Sequence, residues 1–165
     1  EVNQRVCVAL RPLLPEEVLF KWPNDLMIKT KKLGGMLIEN HWSGMGIKSS
    51  SIGIGINLNR TEDALERAAF LNEWVGAKQT PEEVARAIQH RFAHELTRSF
   101  GAGELANAYK EVLWGQDQPQ PYLIHGTEMA ATVDAVANNG RLTLRFKDGN
   151  VQSYDMDEVK WVDPN

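Results

Sequence analysis

Residues 47–58, IKSSSIGIGINL, constrain the fold more than any other stretch of this chain. Ile52, Ile54 and Ile56 alternate with Gly53 and Gly55. Successive side chains of a strand point to opposite faces, so the isoleucines share one face and the glycines the other. A strand face stripped of side chains is where a ligand or another backbone can come close. Upstream, residues 32–41 mix two glycines with the apolar run Met36-Leu37-Ile38, and HWSGMG at 41–46 reads as the hairpin turn joining the two strands. A third strand is expected at 18–22, ended by Pro23, which has no N–H for a ladder.

Around these strands the pattern changes period. Val6, Val8, Ala9, Leu10, Leu13 and Leu14 suit the end of a helix stopped by Pro12 or Pro15. Residues 62–74 and 81–99 carry apolar positions near helical spacing, among them Val84, Ala87, Ile88, Phe92 and Leu96. Thr80-Pro81-Glu82-Glu83 is a helix start: a cap, proline in the first turn, and acids near the positive end of the dipole. Another helix is expected from Glu104 to near Gly115. GQDQPQP at 115–121 then reads as a linker. The remaining tail shows short strands with Asn139-Gly140 and Asp148-Gly149 as hairpin turns, the pattern of a small antiparallel barrel.

Composition excludes several classes. With 42% hydrophobic and 24% charged residues among 165, the chain is globular rather than disordered. No apolar run approaches the roughly 20 residues needed to span a bilayer. A net charge of −4, with both signs mixed along the chain, weighs against nucleic acid as a partner. A single cysteine, Cys7, excludes an internal disulfide; with no secretory start in view, a cytoplasmic setting is expected.

Candidate chemistry concentrates in FKWPNDLMIKTKKLGGMLIEN, residues 20–40. Pro23 restricts Trp22 to extended geometry, so Asn24 and Asp25 leave the strand at a defined angle. Taken alone, Trp22 also reads as a core aromatic and Asn24-Asp25 as turn chemistry. Lys32 beside Gly34 and Gly35 can direct an ammonium at a carboxylate or phosphate. A donor placed where transition-state charge builds up is worth about 3–4 kcal/mol. Asn57, ending the glycine-dotted strand, could supply an amide to the same hollow. Lys29, Lys31 and Lys32 together could hold one small anion. His90 and His94, four apart, have metal-compatible spacing but no third ligand nearby in sequence, and His41 and His125 fall at expected turns.

The ordered set KWPNDLMI, KKLGGMLIE and SIGIGINLN resembles the catalytic domain of biotin protein ligases, which attach biotin to a lysine of carboxylase carrier domains. The resemblance implies an α+β chain: the second half of a mixed-sheet catalytic domain of the biotin/lipoate ligase type over 1–116, then a small SH3-like β-barrel over 117–165. It implies ATP, Mg2+ and biotin as substrate, with biotinyl-adenylate as the intermediate. Lys32 would be the catalytic contact to the biotin carboxylate and the α-phosphate. Lys32, Gly35, Leu37, Gly53 and Ile56 would line the biotin slot. Trp22, Pro23, Asn24, Asp25 and Asn57 would serve the ATP and adenylate side, and no protein metal ligand is assigned.

Family members also carry, upstream of KWPND, a Gly-Arg-rich loop of the pattern GRGRxG, absent from these 165 residues. Two readings follow: a fragment of a longer ligase, inactive or poor by itself, or a non-enzymatic docking or oligomerisation module derived from the fold. A lipoate or octanoyl ligase or transferase is the enzymatic alternative, against which the KWPND and KLGG pair favours biotin. The implied partner is a biotin carboxyl carrier domain. An exposed sheet edge is expected to favour a homodimer.

Overall fold

Val6, Cys7, Ala9 and Leu10 fall on the buried side of the first helix, α1 (Val2–Leu10), and none is exposed. A computed structural model describes residues 2–44 and 46–163 of the chain. Pro12 cannot continue the α-helical ladder, and the backbone tightens there into a 3₁₀ turn over Arg11–Leu13.

Four antiparallel strands follow in the spatial order of the chain: β1 (Val18–Lys21), β2 (Asp25–Ile28), β3 (Lys31–Ser43) and β4 (Gly46–Ile56). Strand β2 is missing from the sequence reading, which treats Asp25 as part of a turn. Leu26, Met27 and Ile28 are all buried, and a strand covered on both faces shows a continuous apolar run instead of alternation. The turn is confined to residues 22–24, with a cis peptide between Trp22 and Pro23. The hairpin turn expected at 41–46 is also shorter, because His41, Trp42 and Ser43 belong to β3; Met45 of that turn lies outside the described residues. The expected mixed sheet is replaced by wholly antiparallel pairing between the named strands. Among the described residues parallel pairing is limited to two isolated bridges, Phe20 with Leu113 and Lys32 with Ala68. Among the described strands β4 pairs on one side only, so the sheet keeps a free edge.

The helical expectations hold in part. Helix α2 covers only Leu71–Val75. Residues 62–70 are not helical, because the backbone there is committed to β3: Lys32 N donates to Arg67 O (3.1 Å) and Ala69 N to Lys32 O (2.9 Å). Helix α3 (Pro81–Glu95) starts at the expected proline but stops short of residue 99. The Thr80 hydroxyl donates to the Glu83 carboxylate (2.5 Å) and caps no backbone amide. Helix α4 (Glu104–Lys110) ends early because the next residues flank β1. Phe20 N donates to Val112 O (2.8 Å) and Trp114 N to Phe20 O (3.0 Å). Among the described residues no helix is long and apolar enough to cross a membrane.

The second sheet holds β5 (Gln120–Ile124), β6 (Thr127–Val136), β7 (Leu142–Phe146), β8 (Val151–Tyr154) and β9 (Val159–Trp161), ordered β8-β7-β6-β5-β9 and antiparallel throughout. Gly140 and Gly149 close the turns after β6 and β7 at φ 91 and 85, the left-handed backbone for which the Asn-Gly and Asp-Gly signals select. One apolar cluster joins α1 (Val6, Leu10) to the first sheet (Phe20, Leu26, Leu33) and on to Tyr122, Val133 and Leu144 of the second. Each such side chain contributes about 1.5–3 kcal/mol by leaving water.

Candidate functional site

On the β3–β4 hairpin Gly35 stands opposite Gly55, and Leu37 opposite Gly53. Their neighbours Met36, Ile38, Ile52 and Ile54 turn the other way and pack against the core. This is the division of faces that the alternation in the sequence demands. It leaves a floor of backbone: a methyl built on Gly55 would find nothing closer than Gly35 O at 4.0 Å.

Lys32 is set at the head of this floor by its own backbone. Besides the bonds to Arg67 and Ala69, its carbonyl accepts from Asn57 Nδ2 (3.3 Å), which also donates to Ala69 O (3.2 Å). Its side chain crosses Gly35, with Cε 3.7 Å from where a Cβ on that glycine would stand. The ammonium then meets Asp25 Oδ1 at 2.5 Å, while Lys21 Nζ holds Oδ2 at 2.8 Å. Lys21 in turn lies 4.4 Å above the ring centroid of Trp161, which meets Trp114 edge-on at 5.3 Å. Lys21, Asp25, Lys32, Gly35, Asn57 and Trp161 line a cleft of about 670 Å³, within the range of small-ligand sites.

Burial pushes the Asp25 carboxyl upward, but hydrogen bonds and charge from Lys21 and Lys32 outweigh it and hold the group below its ordinary value. A carboxyl depressed in the folded state stabilises the fold above its unfolded value, about 3.9, and that stability is lost as pH falls through the folded value. Asp25→Asn should therefore cost on the order of 1 kcal/mol near pH 7, with the deficit shrinking below about pH 4. Urea unfolding of both proteins from pH 7 to 2.5 checks this; a deficit that stays constant over that range refutes it.

Of the residues expected at a site, Lys32, Gly35, Asp25, Ile56 and Asn57 do come together in this cleft. Gly53 and Leu37 lie one rung further along the same floor and do not line it, and Leu37 is 63% exposed. Trp22 and Pro23 face a second cleft, of about 580 Å³, and Trp22 Nε1 donates to Gly140 O (2.9 Å). Asn24 does not line the first cleft: its Nδ2 donates to Met36 O and its carbonyl accepts from Met36 N, both at 2.8 Å, fastening the start of β2 to β3. The lysine cluster does not gather either, since only Lys32 of the three lines the cleft. The Lys29 carbonyl accepts from Trp114 Nε1 (2.6 Å). The His90 and His94 rings lie 5.4 Å apart on α3, and no group of three or more potential metal-binding residues occurs among the described residues. His41, expected at a turn, is in β3, whereas His125 does occupy a turn at φ 46.

Lys21, Arg67 and Trp161 line the cleft and were not anticipated. Lys21 had a signal, a charge opposite to that of Asp25 four residues away across a tight turn. Trp161 and Arg67 had none, because they arrive from remote parts of the chain.

Residues 1–59 match the model of the Biotin/lipoate A/B protein ligase family. The fold is similar to that of a biotin protein ligase from Aquifex aeolicus in complex with biotin and ATP, at a TM-score of 0.70 and 21% identity over 98% of this chain and 69% of that one. In sequence the chain is 43% identical over 133 residues to the biotin–[acetyl-CoA-carboxylase] ligase of Paracoccus denitrificans, 76% of this chain and 55% of that protein. It is 25% identical over 153 residues to the bifunctional ligase/repressor BirA of Salmonella typhimurium, 88% of this chain and 47% of the relative. The family match over residues 1–59 and the 43% identity to a biotin–[acetyl-CoA-carboxylase] ligase thus make the chain similar to biotin protein ligases. It spans about half the length of the curated relatives it matches.

Proposed function

We propose that this chain carries the biotin and adenylate cleft of a biotin protein ligase. The observation that carries the reading is the Lys32 ammonium held over the Gly35–Gly55 floor beside Asp25. In the first step a biotin carboxylate oxygen attacks the α-phosphorus of ATP, and pyrophosphate leaves. The ε-amine of a lysine on a biotin carboxyl carrier domain then attacks the acyl carbon of the mixed anhydride. An amide forms and AMP departs with the bonding pair.

Lys32 donates to the biotin carboxylate and then to the oxygens around the α-phosphate, where charge builds up. Gly35 and Gly55 let a flat bicyclic ring lie against the strands, with Gly53 and Leu37 one rung further along the same face and Ile56 closing the end of β4. Asp25 and Asn57 stand on the nucleotide side. Trp22 and Pro23 shape the loop that Asn24 anchors to β3. Magnesium is expected to arrive on the triphosphate, whose charge it offsets as a Lewis acid. Asn57 spends its amide nitrogen on the Lys32 and Ala69 carbonyls, which leaves its side-chain oxygen as the atom able to ligate. Residues 117–165 are read as the small SH3-like barrel of the family, supported by five short antiparallel strands joined partly by glycine-closed turns.

Calorimetric titration of the 165-residue chain with non-hydrolysable biotinyl-adenylate and lipoyl-adenylate analogues tests this. The biotinyl compound should bind at least about tenfold more tightly, a difference of roughly 1.4 kcal/mol. Preference for the lipoyl compound would move the chain to the lipoate branch, and binding of neither by a folded chain would leave a docking module.

A further inference from the structure

We propose that Lys21 is the standing counter-ion of Asp25, a positioning residue that leaves the Lys32 ammonium free to turn to an anionic ligand. This rests on the reading above, in which Lys32 receives the carboxylate and phosphate. The two oxygens of Asp25 are divided between two ammonium groups, Oδ2 to Lys21 at 2.8 Å and Oδ1 to Lys32 at 2.5 Å. The two lysines are not equivalent. The Lys21 side chain is only 15% exposed, at the end of β1 and stacked on the Trp161 ring, whereas that of Lys32 is 56% exposed and crosses a bare glycine face. One is clamped, and the other opens toward the ligand.

Asp25 is itself 16% exposed, so a departing Lys32 would strand a poorly hydrated carboxylate if it were the sole partner. Leaving one member of a buried pair without its counter-charge is strongly unfavourable. Lys21 removes that penalty, because it stays when Lys32 turns away. It also sets the sign of the site. Two ammonium groups and one carboxylate sum to +1, and without Lys21 the sum is zero, with the Lys32 ammonium held by Asp25. The other charged residues lining the cleft, Arg67 and Asp163, are of opposite sign.

The test is titration of the full chain and of Lys21→Met with the non-hydrolysable biotinyl-adenylate analogue, with lysine side-chain NMR followed in parallel. Methionine keeps an unbranched stem against Trp161 while removing the charge. Lys21→Met should bind about tenfold or more weakly, Lys21→Arg should recover most of the loss, and Lys32 signals in Lys21→Met should respond less to the analogue. In the unsubstituted chain the analogue should shift the Lys32 signals and leave those of Lys21 in place. Wild-type affinity in Lys21→Met, or Lys21 signals that move as far as those of Lys32, would overturn the proposal even if the variant folds poorly, since the second readout needs no substitution. Failure of the unsubstituted chain to bind the analogue would instead remove the ligand reading of the cleft, and this proposal with it.

Discussion

Replacing Lys32 with alanine should weaken binding of a biotinyl-adenylate analogue about 10- to 100-fold while leaving the thermal midpoint nearly unchanged. The two halves of this expectation have separate origins. A hydrogen bond from a charged donor is worth roughly 1.5–3 kcal/mol, which sets the loss of affinity. Under the proposed ligase reading, any turnover should suffer more than binding, because charge on the α-phosphate grows toward the transition state and a donor placed there is worth about 3–4 kcal/mol. Stability should hardly move, because the place of Lys32 in the fold is secured by main-chain bonds to Arg67 and Ala69 and by the Asn57 amide, none of which involves its side chain. The side chain is 56% exposed, and an ion pair of that kind contributes little to folding. Calorimetry and a melting curve on the same sample decide the matter. Unchanged affinity would show that the ammonium serves only to neutralise Asp25.

Gly34→Ala should destabilise the protein by about 3 kcal/mol, whereas Gly55→Ala should be close to neutral for stability and harmful to ligand binding. A Cβ on Gly34 would stand 2.1 Å from Gly55 O and 3.1 Å from both Gly55 C and the Ile56 Cα. All three are backbone atoms of the paired strand, so no rotamer relieves the overlap and the hairpin itself must open. For a domain of this size the loss corresponds to a drop of roughly 6–12 °C in the melting midpoint. Gly55 presents the contrary case, since the nearest atom to its Cβ would be Gly35 O at 4.0 Å, an ordinary contact. A methyl there occupies the floor on which the ligand ring is proposed to lie. The pair separates a glycine kept for strand packing from one kept for a ligand. Equal stability of Gly34→Ala and the unsubstituted chain would contradict the close approach of the two strands.

Much of this was legible before any coordinates. The Ile52, Ile54 and Ile56 face, the glycine face opposite, the start of α3 at Pro81 and the two glycine-closed hairpins after β6 and β7 all follow from patterns a few residues long. Lys32, Gly35 and Asn57 were expected around one hollow from their places on the two glycine-bearing strands, whereas Asp25 joined them only through the family resemblance. The two helical overestimates share one cause. Residues 62–70 have helical spacing but give their backbone groups to Lys32, and the segment after α4 gives its own to Phe20. Helical periodicity states which side chains could share a face, and it is silent on whether the backbone has a better partner elsewhere.

What the sequence determined by itself was thus the local alphabet: which strand faces are bare, where turns close, and which lysine stands beside the glycines. These depend on side-chain period and on φ preferences, both carried by neighbouring residues. The tertiary structure decided which polar atoms remain for a ligand. Asn24 and the amide nitrogen of Asn57 turn out to be spent on main-chain carbonyls. Asp25 is shared between two lysines, and Trp161 enters the cleft wall from the far end of the chain. Those outcomes rest on hydrogen bonds and ring contacts between segments remote in sequence, and no local pattern encodes them.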